Sequence, residues 1–190
     1  MEGYTFTATV RRSLAAAREH ATTLKHDCVG AEHLLLGLVT SEEQTLGQVW
    51  STLSVSPEDL RSDILAILPP GRSSLYASDL PYTRNAKRAL EFAMREAAAF
   101  GDTTVEPTHL LLGIIRLADG NAARTLQQHG VTTNSVRQAL SNLRERPLTV
   151  TSVASIAITV QLQDGTIIER NFEGGDENVL YFLSAYLLRD

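Results

Sequence analysis

Glu32-His33-Leu34-Leu35-Leu36-Gly37 and Thr108-His109-Leu110-Leu111-Leu112-Gly113 differ only at their first residue, and they lie 76 positions apart. The same offset, without a gap, aligns Thr7 with Thr83, Arg12 with Arg88, Leu14 with Leu90, Ala17 with Ala93, Ala21 with Ala97 and Val29 with Val105. It still holds at Val55/Val131 and Arg61/Arg137. Scattered Ala and Leu matches arise from composition alone; five consecutive identities in one register do not. Residues 1–147 therefore read as a duplication, copy one over 5–68 and copy two over 82–145.

Each copy predicts four helices. In the first, Val10, Leu14, Ala17, Ala21 and Leu24 recur at helical spacing and form one apolar stripe. Thr7 stands where an N-cap belongs, its hydroxyl able to accept from a first-turn amide. Thr83 repeats it ahead of the stripe Ala86, Leu90, Ala93, Ala97 and Phe100. Short helices follow over 33–39 and 109–115, then helices over 44–53 and 121–129. The fourth opens at Ser56-Pro57-Glu58-Asp59, a capping residue followed by proline in the first turn, with Leu60, Ile64 and Ile67 expected to face the core. Pro69-Pro70-Gly71-Arg72-Ser73-Ser74 opens a linker over 69–81 that no helix crosses. The short helices cannot bury a face alone, so the copies are expected to form one pseudo-twofold helical body.

Residue usage changes near Pro147, from Ala/Leu/Arg-rich to Val/Ile/Thr-rich. Residues 148–190 carry six acids and two bases, a net of −4, against −1 for residues 1–147. Ile156, Ile158, Val160 and Leu162 alternate with polar or small residues, as in a half-buried strand. Asp164-Gly165 suits a two-residue turn, Thr166–Phe172 a return strand, and Val179, Leu180, Phe182, Leu183, Tyr186 and Leu187 a helical stripe. The tail thus reads as a ββα extension over 148–190. A lone hairpin is marginal in water, so it must pack on the helical body or pair with another copy of itself.

Composition removes several functions. A net charge of −5 over 190 residues argues against a nucleic-acid footprint. No apolar run approaches the ~18 residues of a membrane span, and no leader is visible, so a cytoplasmic protein is expected. Cys28, the one cysteine, excludes an internal disulfide and a multi-cysteine metal site. There is no Gly-x-x-x-x-Gly-Lys-Ser/Thr phosphate loop, nucleophile elbow or His-Glu-x-x-His, so neither an enzyme nor a bound cofactor is expected.

Phe6-Thr7, the Val29-to-Leu38 stretch, Tyr82-to-Lys87 and Thr108-to-Ile114 resemble the Clp N-terminal domain. That family is the double four-helix repeat at the front of Clp unfoldases, here most similar to the ClpC type. The resemblance covers residues 5–145, without the ATPase module, and leaves 148–190 unaccounted for. It implies a mainly α pseudo-twofold fold and a non-catalytic accessory or regulatory module for protein substrates or adaptors of a Clp ATPase–protease. The alternative is a scaffold or decoy that homodimerises through 148–190.

The resemblance further implies two pockets for phosphoarginine, one per copy. A helix N-terminus with a threonine hydroxyl suits the phosphate, and a nearby carboxylate suits the guanidinium. Thr7 and Glu32 match the pattern for pocket one. Thr83 matches for pocket two, but Thr108 stands where the family has glutamate, and a hydroxyl cannot balance a guanidinium charge. Pocket two is therefore degenerate. Each residue also has a plainer role: Thr7 and Thr83 as N-caps, Glu32 as a first-turn acid. His33 and His109 read as packed, hydrogen-bonded structural histidines, Cys28 as space-filling, and Arg11-Arg12 as a solvated face.

Overall fold

The computed structural model describes residues 5–41, 43–77 and 80–145, and two strands of the tail, 155–161 and 167–173. The chain divides into two units, Met1–Glu145 and Arg146–Asp190.

In the first unit a short strand β1 (Thr5–Phe6) leads into α1 (Ala8–Thr23), α2 (Ala31–Val39), α3 (Gln44–Thr52) and α4 (Pro57–Ala66). After the linker come α5 (Arg84–Phe100), a second short strand β2 (Thr104–Val105), α6 (Pro107–Ile115), α7 (Asn121–Gln128) and α8 (Thr133–Glu145). The caps are those that the sequence offers. Thr7 Oγ1 accepts from the Val10 amide at 3.3 Å, Thr83 Oγ1 from Ala86 at 3.1 Å and Ser56 Oγ from Asp59 at 3.2 Å.

The Leu-Leu-Leu helices form the centre. Leu34, Leu35, Leu36 and Leu38 in α2, and Leu110, Leu111, Leu112 and Ile114 in α6, are fully buried. A helix apolar on every side must be covered on every side, which is why α2 packs against α1, α4, α5, α6 and α7. Each such side chain contributes about 2 kcal/mol relative to exposure. Close approach is set by glycine. A Cβ on Gly37 would collide with the Ser13 carbonyl of α1, and one on Gly113 would collide with the Ala89 carbonyl of α5. The colliding residues are themselves 76 apart, so both helix crossings have the same geometry.

Two details depart from the sequence expectation. Ile67 is 41% exposed, because α4 ends at Ala66 and the chain turns away before a third stripe residue can reach the core. Glu96, on the buried side of α5, is only 1% exposed and is gripped by two arginines. Arg116 Nη1 lies 2.8 Å from Oε1 and Arg137 Nη2 2.6 Å from Oε2, which joins α5 to the end of α6 and to α8. Burial alone would raise the Glu96 pKa, but the hydrogen bonds and charges of Arg137 and Arg116 carry it below the usual range.

In the second unit β3 (Ser155–Gln161) and β4 (Ile167–Glu173) pair antiparallel, Ser155 opposite Glu173 and Gln161 opposite Ile167. A two-residue turn on Asp164-Gly165 requires Gln161 opposite Ile168; the pairing is shifted by one residue. The turn itself and the expected helix over 179–187 lie outside the described residues.

Candidate functional site

The two copies exchange their leading segments. Phe6 of β1 pairs in parallel with Val105 of β2, and Tyr82 bridges to Val29 in the same way. Adding 76 to either residue of copy one gives its counterpart, so the two contacts are one contact made twice. The Thr7 amide donates to the Val105 carbonyl at 3.1 Å, and the Thr83 amide donates to the Val29 carbonyl at 3.0 Å. The Val29 amide in turn donates to the Pro81 carbonyl at 2.8 Å. Each copy's first helix is thereby docked at the start of the other copy's second helix, as in an isologous dimer interface fused into one chain.

This exchange brings side chains together differently from the sequence-based grouping. Glu32, in the first turn of α2, lines a pocket of about 530 Å³ together with Thr83, not with Thr7. Thr7 stands instead beside β2 and the start of α6, where Glu106 is exposed at the N-cap and Thr108 is 3% exposed. Thr108 is therefore sealed in the core and offers no hydroxyl to a ligand, whereas Glu32 is half-exposed.

The linker forms one wall of the Glu32 pocket. The Gly71 amide donates to the Leu24 carbonyl at 2.7 Å and the Ser73 amide to the Lys25 carbonyl at 2.8 Å. Gly71 is required there, since a Cβ would run into the Lys25 carbonyl. Lys25, Arg72 and Ser73 thus join Glu32 and Thr83 in lining the pocket, with Asp27 as a second acid. One cavity holds a helix N-terminus, two bases and two carboxylates, which together suit a ligand carrying both charges. The sequence marked the linker only as a helix breaker; Arg72 between Gly71 and Ser73 was its one chemical signal.

Behind the pocket lies a histidine relay. The Gly30 amide donates to His33 Nδ1 at 2.9 Å, which leaves the ring proton on Nε2 to donate to His26 Nδ1 at 2.8 Å. His26 Nε2 then donates to the Pro69 carbonyl at 2.8 Å, at the start of the linker. Burial first, then the neighbouring His26 and His20, lower the His33 pKa to about 4. In copy two the Glu106 amide donates to His109 Nδ1 at 3.1 Å, and Nε2 lies 3.2 Å from Asp102 Oδ2. Both histidines are buried helix-start caps, as their place beside the leucine triplets suggested.

Cys28 is a half-buried free thiol whose pKa is raised by burial, by its hydrogen bond with Asp27 and by the charges of Asp27 and Glu32. It is thereby kept in its less reactive form. Among the described residues no group of three or more His, Cys, Asp or Glu could hold a metal ion. None of the described helices is long and apolar enough to cross a membrane.

Known proteins are similar to this chain in sequence and fold. ClpC/MecB of Bacillus subtilis, the negative regulator of genetic competence, is 36% identical over 138 residues, 73% of this chain and 17% of that protein. The chloroplastic chaperone protein ClpC1 of Oryza sativa is 34% identical over 132 residues, 70% of this chain and 14% of its own length. The chain thus spans about a sixth of the curated relatives it matches. The N-terminal domain of the chaperone ClpD from Arabidopsis thaliana superimposes with a TM-score of 0.59 at 25% identity, covering 73% of this chain and 94% of that domain. The N-domain of ClpV from Vibrio cholerae, at 13% identity and a TM-score of 0.60, covers 72% of this chain and 83% of its own and shares the fold. The Clp repeat (R) N-terminal domain family matches residues 5–129, and this chain belongs to it.

Proposed function

We propose that the chain is a non-catalytic binding module that presents protein substrates or adaptors to a Clp ATPase, and that it takes phosphoarginine side chains in the pocket between Glu32 and Thr83. The observation that carries this reading is the meeting of Glu32 with the N-terminus of α5 in one cavity. A guanidinium needs a planar acceptor, which Glu32 supplies. A phosphate on the far side of that guanidinium needs donors and positive charge, which the first-turn amides after Thr83, Arg72 and Lys25 supply. The half of the molecule around Thr7 has Thr108 buried where the matching carboxylate would stand, so one ligand per chain is expected.

Calorimetric titration of the full chain with phosphoarginine, against arginine and inorganic phosphate, tests the pocket. Saturable binding of phosphoarginine alone, lost in Glu32→Ala, supports it. No binding, or binding that Glu32→Ala leaves intact, removes phosphoarginine from the function.

A scaffold that homodimerises through residues 148–190 is the second reading. It rests on β3 and β4, since an isolated two-stranded hairpin needs a further surface to be stable. Light scattering of the full chain is its test: a dimer supports it and a concentration-independent monomer excludes it.

A further inference from the structure

The two copies treat one groove differently. On α5, Phe92 is half-buried, with the guanidinium carbons of Arg116, Arg88 and Arg95 lying 4.9, 5.6 and 5.7 Å from its ring centroid. Phe92 corresponds to Ala16 on α1, Arg88 to Arg12, Arg116 to Thr40 and buried Leu117 to Ser41. Every one of these copy-one residues lines an open pocket of about 620 Å³. Ser13, where copy two has Ala89, lines the same pocket; it is 3% exposed, and its hydroxyl has no hydrogen-bond partner among the described residues. A buried hydroxyl left unpaired costs about 1–3 kcal/mol, a cost that Ala89 avoids in copy two.

We infer that this pocket receives an aromatic side chain from a peptide segment of a partner protein, its ring lying where copy two places Phe92. Arg12 stacks on the incoming ring as Arg88 stacks on Phe92. Among the described residues its guanidinium bonds only Thr9 Oγ1, at 3.2 Å, which leaves the flat face available. Glu43, the acid lining the pocket, does not compete for Arg12, because its carboxylate is taken up by the Thr45 and Leu46 amides at 2.9 and 2.6 Å. The site is separate from the Glu32 pocket and shares no lining residue with it.

The test is amide chemical-shift mapping of the full chain with three capped tripeptides, Gly-Tyr-Gly, Gly-Phe-Gly and Gly-Leu-Gly. The tyrosine and phenylalanine peptides are expected to shift amides over residues 9–16 and 37–44, and the leucine peptide to leave them unmoved. Ala16→Phe fills the pocket as copy two already does, so it should keep the fold and abolish the shifts. Arg12→Ala, at an exposed position, should weaken aromatic binding about two- to fivefold. Shifts that are absent, equal for leucine, or undiminished in Ala16→Phe overturn the proposal. So does concentration-dependent self-association that disappears in both Ala16→Phe and Tyr76→Ala, since Tyr76 is 77% exposed and would then be the occupant.

Discussion

The Thr83 amide donates to the Val29 carbonyl at 3.0 Å, beside the pocket that Glu32 and Thr83 line together. Val29 leads into α2 and Thr83 caps α5, so the hydrogen bond carries a carboxylate from copy one to a helix start from copy two. Glu32→Ala and Thr83→Ala should therefore both weaken phosphoarginine binding, while Thr7→Ala should not. Glu32→Ala removes the charge-assisted bonds and should cost tenfold or more, from about 1.5–3 kcal/mol. Thr83→Ala also removes an N-cap and should lower stability by about 1 kcal/mol. Titration calorimetry and urea unfolding on the same three variants separate the two effects. Equal loss of binding in Thr7→Ala would return the site to the grouping within one copy.

Gly71 and Lys25 make the second expectation. A methyl group at Gly71 meets the Lys25 carbonyl and must push the linker off the loop between α1 and α2. Gly71→Ala should cost about 1–2 kcal/mol in urea unfolding and speed amide exchange at Gly71 and Ser73, whose donated bonds hold the wall. Phosphoarginine affinity should fall with it. Protected amides and undiminished affinity in Gly71→Ala would mean that the linker is not part of the site.

The duplication, the four helices per copy and the caps at Thr7, Thr83 and Ser56 were legible because each depends on local spacing. What could not be read was which copy completes which pocket. A sequence offset of 76 maps Thr7 onto Thr83 whether the leading segment docks on its own copy or on the other one. The exchange becomes visible only when Phe6 is seen opposite Val105 rather than Val29. The walls of the pocket were hidden for a similar reason: Lys25, Arg72 and Ser73 meet through backbone bonds that carry no side-chain pattern. Glu96 was hidden by its position on an otherwise alanine-rich stripe, with its arginines 20 and 41 residues away.

That clamp gives the third expectation. Glu96 is buried while Arg116 and Arg137 are 41% and 47% exposed, so the cost of losing the acid is limited by the arginines' ability to return to water. Glu96→Ala should destabilise by about 1–3 kcal/mol, and Glu96→Gln by less. Because the folded-state pKa of Glu96 is depressed, its contribution is present above the unfolded value and is lost as pH falls through the folded one. The variants should therefore lose less stability than the parent on acidification below the usual glutamate range. Urea midpoints measured across pH 3–6 (an interval of about three units) provide the check. A parallel pH dependence in Glu96→Ala would show that the clamp carries no linked charge.

His33 and His26 supply the last expectation, and the duplication supplies its control. His33 is neutral because its Nδ1 must accept from the Gly30 amide, and its pKa is held at about 4 by burial and by the neighbouring His26 and His20. Its folded-state pKa lies below the unfolded value of about 6.5. The unfolded chain therefore takes up a proton first as pH falls, and stability declines between about 6.5 and 4, by up to about 1.4 kcal/mol per pH unit. Above pH 7 both states are neutral and this dependence vanishes. Copy two places Asp102 where copy one has His26, so His26→Asp sets a carboxylate against the His33 ring as Asp102 sits against His109. An attractive charge replaces a repulsive one, and the His33 pKa should rise. In His26→Asp the loss of stability between pH 6.5 and 5 should be smaller than in the parent. The bond to Pro69 is also removed, so overall stability at pH 7 should drop slightly. Histidine titration by NMR reads the pKa directly. A His33 pKa unmoved by His26→Asp would assign the depression to burial and His20, without His26.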